Sequence, residues 1–176
     1  MNDDGLVRCS WAVTRPGPDG ELYRDYHDQE WGRPLHNGVG LFERMSLEAF
    51  QSGLSWLIIL RKRENFRRAF SGFDIETIAG YADADVQRLM ADEGIVRNRA
   101  KIEATIANAR AVAELGSADE LSQLLWSFAP PPRPRPIDGS EIASATTESA
   151  RERSLLRLVS MRSRSIDIIR VSGISI

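Results

Sequence analysis

Apolar residues recur three and four positions apart in four stretches of the chain, and this spacing places them on one face of an α-helix. The four stretches are residues 41–56, 83–90, 100–115 and 117–128. The clearest stripe lies in residues 100–115 and consists of Ile102, Ile106, Ala109 and Ala113. The first two stretches show the same spacing at Leu41, Phe42, Met45 and Ala49 and at Val86, Leu89 and Met90. Each stretch is predicted to be a helix.

Local signals mark the ends of these helices. Gly53 is predicted to end or bend the first helix, because glycine disfavours a helix interior. Ser117 and Glu120 have the spacing of a capping box at the start of the last helix, ahead of an apolar run. No stretch of any length alternates apolar and polar residues with a period of two, so we predict an all-α fold.

Three other segments lack a helical pattern. Residues 15–23 are predicted to form a turn from their proline and glycine spacing. Residues 130–136 hold five of the eight prolines, and this favours an extended surface loop over a ligand for an SH3-like partner. Residues 151–176 contain six arginines and no lysine and keep no single apolar face, which indicates a strand or a disordered tail.

Composition excludes several classes of protein. The 176 residues are 42% hydrophobic and 27% charged, which suits one globular domain, or one domain with a tail. No apolar run approaches the ~20 residues of a membrane helix, and the acidic N-terminus does not resemble a signal peptide. The single cysteine excludes an internal disulfide and favours a reducing cytoplasm. A net charge of −2 does not by itself indicate a nucleic-acid partner.

Two short stretches are nevertheless strongly basic, at residues 61–68 and 97–101. The second stretch follows Gly94, which is predicted to break a helix before a new one starts near Asn98. A glycine turn and a helix start offer unpaired backbone N–H groups, which attract anions. The arrangement is typical of a helix-hairpin-helix that holds a DNA phosphate, with Arg97, Arg99 and Lys101 around it. A helical hairpin with an unrelated surface charge cluster would give the same pattern.

Glu48 lies in the middle of the first predicted helix, where a lone glutamate is usually solvated. Its neighbourhood suggests a second interpretation. The four tryptophans, Trp11, Trp31, Trp56 and Trp126, are numerous for so short a chain; most would be core, but some could line a pocket for a flat ring. A carboxylate inside an aromatic box suits a cationic heterocycle.

Cys9 and His27 carry side chains that bind zinc well. A closed structural zinc site has four ligands, so this pair alone is more often a coincidence than half of a metal site.

Six motifs then follow in order and at matching spacing: RCSW, YHDQEWG, LFERMSLEAFQSGLSW, LRKRENFRRAFSGFD, DEGIVRNRAKIEATIANARA and LWSF. In these motifs the chain closely resembles the bacterial 3-methyladenine DNA glycosylase I family over about residues 9–150. The resemblance implies a helix-hairpin-helix DNA glycosylase, a helical bundle with its hairpin near residues 83–110. Such an enzyme excises 3-methyladenine from alkylated DNA and does not cut the strand.

The resemblance also implies roles for individual residues. Glu48 would contact the damaged base, and the stacking aromatics would be Trp11, Tyr26 and Trp56. Trp31 would pack its segment onto the helices. Gln51 and Leu54 would fill the gap that the base leaves in the duplex. Phosphates would be held by the hairpin, with Gly94, Arg97, Arg99 and Lys101, and by the basic residues 61–68. Cys9 and His27 would be the first two ligands of a structural zinc ion.

The chain departs from the family near its end. The family's remaining two zinc ligands, a histidine and a cysteine, have no counterpart after Ala150, so Zn²⁺ is expected with only two of four ligands. We therefore divide the chain into a helical domain, residues 1–150, and a divergent tail, residues 151–176. The composition changes abruptly at the start of the tail, which suggests an altered reading frame. The predicted partner is double-stranded DNA containing alkylated adenine, bound by a cytoplasmic monomer. The alternatives are an impaired relative that only binds DNA and a plain helical interaction module.

Overall fold

The structure is a computed structural model that describes residues 5–129, and all regular elements in that part of the chain are helical. The α-helices are α1 (Ser10–Val13), α2 (Gly17–Gln29), α3 (Gly38–Gln51), α4 (Trp56–Ala69), α5 (Ile75–Ala79), α6 (Asp83–Ala91), α7 (Arg99–Leu115) and α8 (Ala118–Trp126). A short 3₁₀ turn, Ser71–Phe73, follows α4. The all-α prediction is confirmed. The proline-rich segment and residues 151–176 lie outside the described residues, and no described helix is long and apolar enough to cross a membrane.

The core is built on phenylalanine rings from α3, α4 and the 3₁₀ turn. Phe42, Phe50, Phe66, Phe70 and Phe73 are all completely buried or nearly so. Phe50 and Phe66 lie 4.7 Å apart between ring centroids, and the rings of Phe70 and Phe73 stack at 5.7 Å. These contacts hold α3 against α4, and the long helix α7 packs across them with Ile102, Ile106 and Ala109 buried, as its stripe predicts.

Helix α3 buries a wider face than the sequence predicts. Leu41 and Phe42 are buried, but Met45 and Ala49 are only half-buried. Leu47 and Phe50 take their place in the core. The reason is that α3 packs against α4, α7 and α8, so its buried surface is not a single stripe. The helix ends at Gln51, and Gly53 follows with a φ of +81°, as expected for a glycine stop.

The predicted turn at residues 15–23 is wrong, because helix α2 begins at Gly17. Proline tolerates the first turn of a helix, where its missing N–H needs no partner, and Pro18 lies there. Gly20 is required by a close approach, since a Cβ at this position would lie 1.9 Å from the Arg15 carbonyl oxygen. The prolines and glycines therefore mark a helix start. Helix α1 packs on α2, and α2 packs on α4, which brings the aromatic residues of α1 and α2 to the junction of α3 and α4.

Candidate nucleotide-base site

A cavity of about 390 Å³ lies between α1, α2, the end of α3 and the start of α4. Aromatic side chains and a single carboxylate dominate its walls. The lining residues are Trp11, Thr14, Arg15, Tyr23, Tyr26, Trp31, Glu48, Gln51 and Trp56. The structure thus brings together Glu48, Gln51 and the three aromatics that the sequence analysis selected, although they come from four different helices.

The aromatic walls support one another through ring contacts. Trp11 meets Tyr23 and Trp31 edge-on, with ring centroids 5.6 and 5.5 Å apart. On the other side, Tyr26 and Trp56 lie 5.5 Å apart. Ring contacts of this kind hold the aromatic walls of the cavity in place.

Several lining residues were not predicted from the sequence. Tyr23 fell in the segment predicted to be a turn, as did Arg15, whose guanidinium lies 5.7 Å from the Tyr23 ring centroid. Trp31 was expected to pack its segment onto the helices. It does contact Trp11 and His27, but it stays 45% exposed and faces the cavity. In α2, Tyr23 lies one helical turn before Tyr26 and His27 and therefore on the same face. Had the sequence predicted this helix, the spacing would have indicated that Tyr23 belongs to the site.

Glu48 lies half-buried in this cavity, and no described residue hydrogen-bonds to its carboxylate. Burial raises the pKa of Glu48, while Arg44, one helical turn earlier, acts in the opposite direction. Burial likewise raises the pKa of Tyr26 above its ordinary value, so its hydroxyl stays neutral. A carboxylate with unused acceptor capacity, surrounded by π-faces, is suited to bind a flat cation.

A tight turn between α3 and α4, residues 52–55, connects Gln51 and Trp56, two residues that line the cavity, and we call it the rim turn. The Leu54 N–H donates to the Gln51 carbonyl at 2.6 Å, and Gly53 supplies the positive φ that the turn requires. Leu54 is 38% exposed beside the cavity-lining Gln51. An amide that lines the cavity and an exposed leucine three residues later therefore lie on one short segment, and their insertion into DNA stays a prediction.

The predicted hairpin is present, with α6 ending at Ala91 and Asn98 capping α7 through the Lys101 N–H. The Gly94 N–H, in the turn before α7, donates to the Asp92 carboxylate at 2.7 Å, and an anion site at the start of α7 stays a prediction. Packing explains why position 94 is a glycine, because a Cβ there would lie 2.9 Å from the Asp92 carboxylate and 3.1 Å from Asn65.

The three basic residues of the hairpin have different surroundings. Arg97 and Arg99 are about half exposed, with side-chain exposures of 48% and 47%, and each forms an ion pair with an exposed glutamate. Such pairs are weak and can exchange for a phosphate. Lys101 instead turns inward, and its ammonium donates to the carbonyls of Phe50 and Ser52 at 3.0 and 2.6 Å.

The basic stretch at residues 61–68 was expected to hold phosphates, but most of its charges bond within the described part of the chain. Arg63 donates to the carboxylates of Glu30 and Glu43. The other partners are Asp19 for Arg61, the Glu93 and Gly94 carbonyls for Lys62, Glu43 and Glu64 for Arg67, and Asn65 for Arg68. Arg61, Lys62 and Arg63 therefore join α4 to other parts of the described chain, as does the contact of Arg67 with Glu43. A role of the stretch in phosphate binding stays a prediction.

Cys9 and His27 come together beside the cavity. The Cys9 backbone N–H donates to His27 Nε2 at 3.4 Å, and His27 Nδ1 donates to the Asp28 carboxylate at 2.9 Å. Hydrogen bonds from Arg8, and secondarily from His27, lower the pKa of Asp28 to about 2. Within residues 5–129 no group of three or more histidine, cysteine, aspartate or glutamate side chains could hold a metal ion. The described residues therefore do not fit a closed four-ligand zinc site, and zinc binding stays a prediction.

The chain is similar to known proteins. Residues 17–162 match the family model described as methyladenine glycosylase. DNA-3-methyladenine glycosylase 1 of Escherichia coli is 44% identical over 124 residues, which cover 70% of this chain and 64% of that protein. The chain thus aligns with less than two thirds of that relative's length. DNA-3-methyladenine glycosylase of Haemophilus influenzae is 36% identical over 159 residues, 89% of this chain and 82% of the relative.

The fold is similar to that of solved structures. A crystal structure of 3-methyladenine DNA glycosylase I matches with a TM-score of 0.73 and 36% identity, over 93% of this chain and 86% of that one. The family match ends beyond residue 150, in the part of the chain that the structure does not describe.

Proposed function

This chain belongs to the methyladenine glycosylase family, and we propose that it excises 3-methyladenine from alkylated double-stranded DNA by hydrolysing the N-glycosidic bond. The observation that carries the proposal is the position of Glu48 in a cavity walled by Trp11, Tyr26 and Trp56. A glycosylase must take its target nucleotide out of the stack and read the base in a fitted pocket. The cavity, at about 390 Å³, is large enough for one base.

The chemistry of the substrate explains why one carboxylate is enough. A methyl group on N3 makes adenine in DNA cationic, so the base is already a good leaving group. The pocket has only to bind that cation, through the Glu48 charge and the aromatic faces, and to favour the transition state in which the bond to the sugar lengthens. As the bond between the sugar and the base breaks, the base leaves as a neutral molecule and positive charge develops on the sugar, where the Glu48 carboxylate stabilises it. Water then adds to the sugar carbon and releases a proton to solvent.

Strand cleavage is not part of the proposed reaction. A glycosylase that also cuts DNA commonly forms a Schiff base between an amine and the sugar. The side chains that line the described cavity include an arginine and a glutamine but no lysine. The proposed product is therefore free base and an abasic site in an intact strand.

Arg97 and Arg99 are the proposed phosphate ligands, because they are exposed and held by weak pairs. Gln51 and Leu54, at the cavity entrance, are proposed to fill the gap left by the extruded nucleotide. The complex would contain one copy of the chain and one duplex, and the reaction would take place in the cytoplasm. Binding should weaken with salt as phosphate contacts release counterions.

For the metal, we propose that Cys9 and His27 bind zinc weakly. Asp28 accepts a hydrogen bond from His27 Nδ1, so Nε2 is the ring nitrogen that faces Cys9. Nε2 accepts the Cys9 backbone N–H, and an ion bound there would have to replace this hydrogen bond. Two protein ligands do not close a tetrahedral site, so such an ion would contribute little to folding.

The test is release of free 3-methyladenine from methylated duplex DNA by the native chain, together with salt-dependent binding to the same duplex. Release of the base supports the proposal. Salt-dependent binding without release selects the alternative, a relative that retains DNA binding and has lost the chemistry. Neither binding nor release would leave a helical interaction module.

A further inference from the structure

We propose that Lys101 is a positioning residue that fixes the rim turn at the mouth of the cavity, and is not one of the phosphate ligands of the hairpin. The inference rests on the proposed function, since it assigns the rim turn to the filling of the gap in DNA. It concerns one ammonium group and the two carbonyls that this group bridges.

The geometry of the bridge is specific. Lys101 Nζ donates to the Phe50 carbonyl at 3.0 Å and to the Ser52 carbonyl at 2.6 Å, across about fifty positions of sequence. The last carbonyls of a helix have no N–H partner within that helix, and a cation near them is favoured by the helix dipole. Phe50 is in the final turn of α3 and Ser52 is the residue that caps it. Lys101 thus supplies the hydrogen bonds that the end of α3 lacks.

The two acceptor carbonyls, of Phe50 and Ser52, lie on either side of Gln51, which lines the cavity. Leu54 follows in the rim turn. Burial of Phe50 fixes one end of this segment in the core, and its side chain is completely buried. The ammonium fixes the other end at Ser52, so the direction of Gln51 and Leu54 depends on Lys101.

The hairpin is itself held by the helix that follows the rim turn. Lys62 donates to the carbonyls of Glu93 and Gly94 at 2.8 and 3.2 Å, and Asn65 donates to the Gly94 carbonyl at 3.1 Å. Both donors belong to α4, which begins at Trp56 in the cavity wall. The hairpin turn, α4 and the rim turn are therefore linked by side-chain to backbone bonds on two sides.

This arrangement separates Lys101 from its basic neighbours. The guanidinium groups of Arg97 and Arg99 pair with exposed glutamates and are available to phosphate. The Lys101 ammonium is committed to two carbonyls, and its surroundings are drier, as burial lowers the Lys101 pKa. The hairpin, which binds phosphate in this proposal, and the rim turn, which fills the gap in DNA, are therefore joined by hydrogen bonds and move together.

The experiment compares Lys101→Met with Arg99→Met in the full chain, with three measurements. The first is hydrogen exchange of residues 50–55 in the free protein. The second is the dependence of duplex binding on salt, in which each lost phosphate contact lowers the slope by about 0.9. The third is the single-turnover rate of base release at saturating protein. Lys101→Gln, which keeps amide N–H donors but not the charge, serves as the milder variant in case Lys101→Met does not fold.

The proposal predicts faster exchange of residues 50–55 in Lys101→Met, an unchanged salt slope, and a single-turnover rate lower by about tenfold or more, as small displacements in an active site can cause. Lys101→Gln should show the same unchanged slope with smaller effects, and Arg99→Met should lower the slope. A lower slope for either Lys101 variant, or exchange at the native rate, overturns the proposal. If the native chain releases no base, the proposed function fails, while exchange and salt slope still decide the role of Lys101.

Discussion

Arg63 donates two hydrogen bonds from one nitrogen to the Glu30 carboxylate, at 2.6 and 2.8 Å, and so joins helix α4 to the residue that ends α2. Its second donor, Nε, binds the buried carboxylate of Glu43 on α3 at 2.7 Å. One guanidinium thus holds together the three helices that carry Tyr26, Glu48 and Trp56. A basic stretch that resembles a DNA-binding surface in the sequence is part of the scaffold of the cavity.

Replacing Arg63 should therefore affect stability more than DNA binding. In Arg63→Met, Glu43 stays buried with only Arg67 to pair with. We expect the free energy of unfolding to fall by about 2–3 kcal/mol, because a buried charge loses part of its compensation. Chemical denaturation measures this loss, and the salt slope of duplex binding should stay at its native value.

Arg99→Met is the matched control for Arg63→Met. It removes an exposed charge whose only described partner is Glu103, so stability should change by no more than about 0.5 kcal/mol. Its salt slope should fall by about 0.9. The opposite result is an Arg63→Met protein of native stability whose duplex binding depends less steeply on salt. It would show that the basic stretch at residues 61–68 contacts DNA.

Gly94 should not accept a side chain. In Gly94→Ala, the new Cβ would lie 2.9 Å from the Asp92 carboxylate and 3.1 Å from Asn65, so these two side chains and their hydrogen bonds to Gly94 must shift. We expect a loss of about 1–3 kcal/mol in the free energy of unfolding, as in other overpacked sites. Thermal and chemical denaturation measure it.

Gly80→Ala provides the comparison, since Gly80 has a φ of −78° and its nearest neighbour to an added Cβ is 3.5 Å away. This change should be neutral, or stabilising by up to about 1 kcal/mol, because it restricts the unfolded chain. Equal losses in the two variants would mean that the close approach at Gly94 does not constrain the hairpin.

Glu48 should make the free protein less stable as it ionises. Burial raises the pKa of Glu48 above its ordinary value of 4.5, so the folded state binds this proton more tightly than the unfolded state does. The folding penalty is absent below pH 4.5, grows as pH rises through the raised pKa, and is complete above it. Glu48→Gln should therefore melt at a higher temperature than the native chain at pH 7, and the difference should shrink near pH 4. A Glu48→Gln variant with a lower melting temperature at pH 7 contradicts this account.

Zinc should contribute little to the stability of this chain. Dialysis against a chelator is expected to leave the melting temperature of the native protein unchanged, and elemental analysis should find less than one zinc per chain. The reason is that Cys9 and His27 have no third described ligand. The contrary result is one zinc ion bound tightly per chain, lost in Cys9→Ser and required for the native melting temperature. It would show that further ligands come from residues outside 5–129.

The features that the sequence predicts well depend on neighbours along the chain. The hairpin was placed correctly because Asn98 caps α7 locally and Gly94 follows the end of α6. The start of α2 was missed because proline and glycine mark helix starts and turns alike. The close approach of Gly20 to the Arg15 carbonyl, five residues earlier, appears only in the structure.

Among the charged residues, too, those with local partners can be predicted from the sequence and those with distant partners cannot. Glu48 was selected from its aromatic neighbourhood, but the roles of Arg63 and Lys101 depend on partners distant in sequence. Glu30 and Glu43 meet Arg63, and the carbonyls of Phe50 and Ser52 meet Lys101. A run of basic residues does not reveal which of its members face solvent, because that depends on how the helices pack.

The central claim is that Glu48, in its aromatic cavity, carries the excision of a cationic base. The most direct test is the single-turnover rate of 3-methyladenine release from methylated duplex DNA, measured for the native chain and for Glu48→Gln at saturating protein. We predict release by the native chain and a rate about 10²–10³-fold lower for the variant, as when one electrostatic stabiliser is removed from an active site. Equal rates, or no release from well-folded native protein, would contradict the claim.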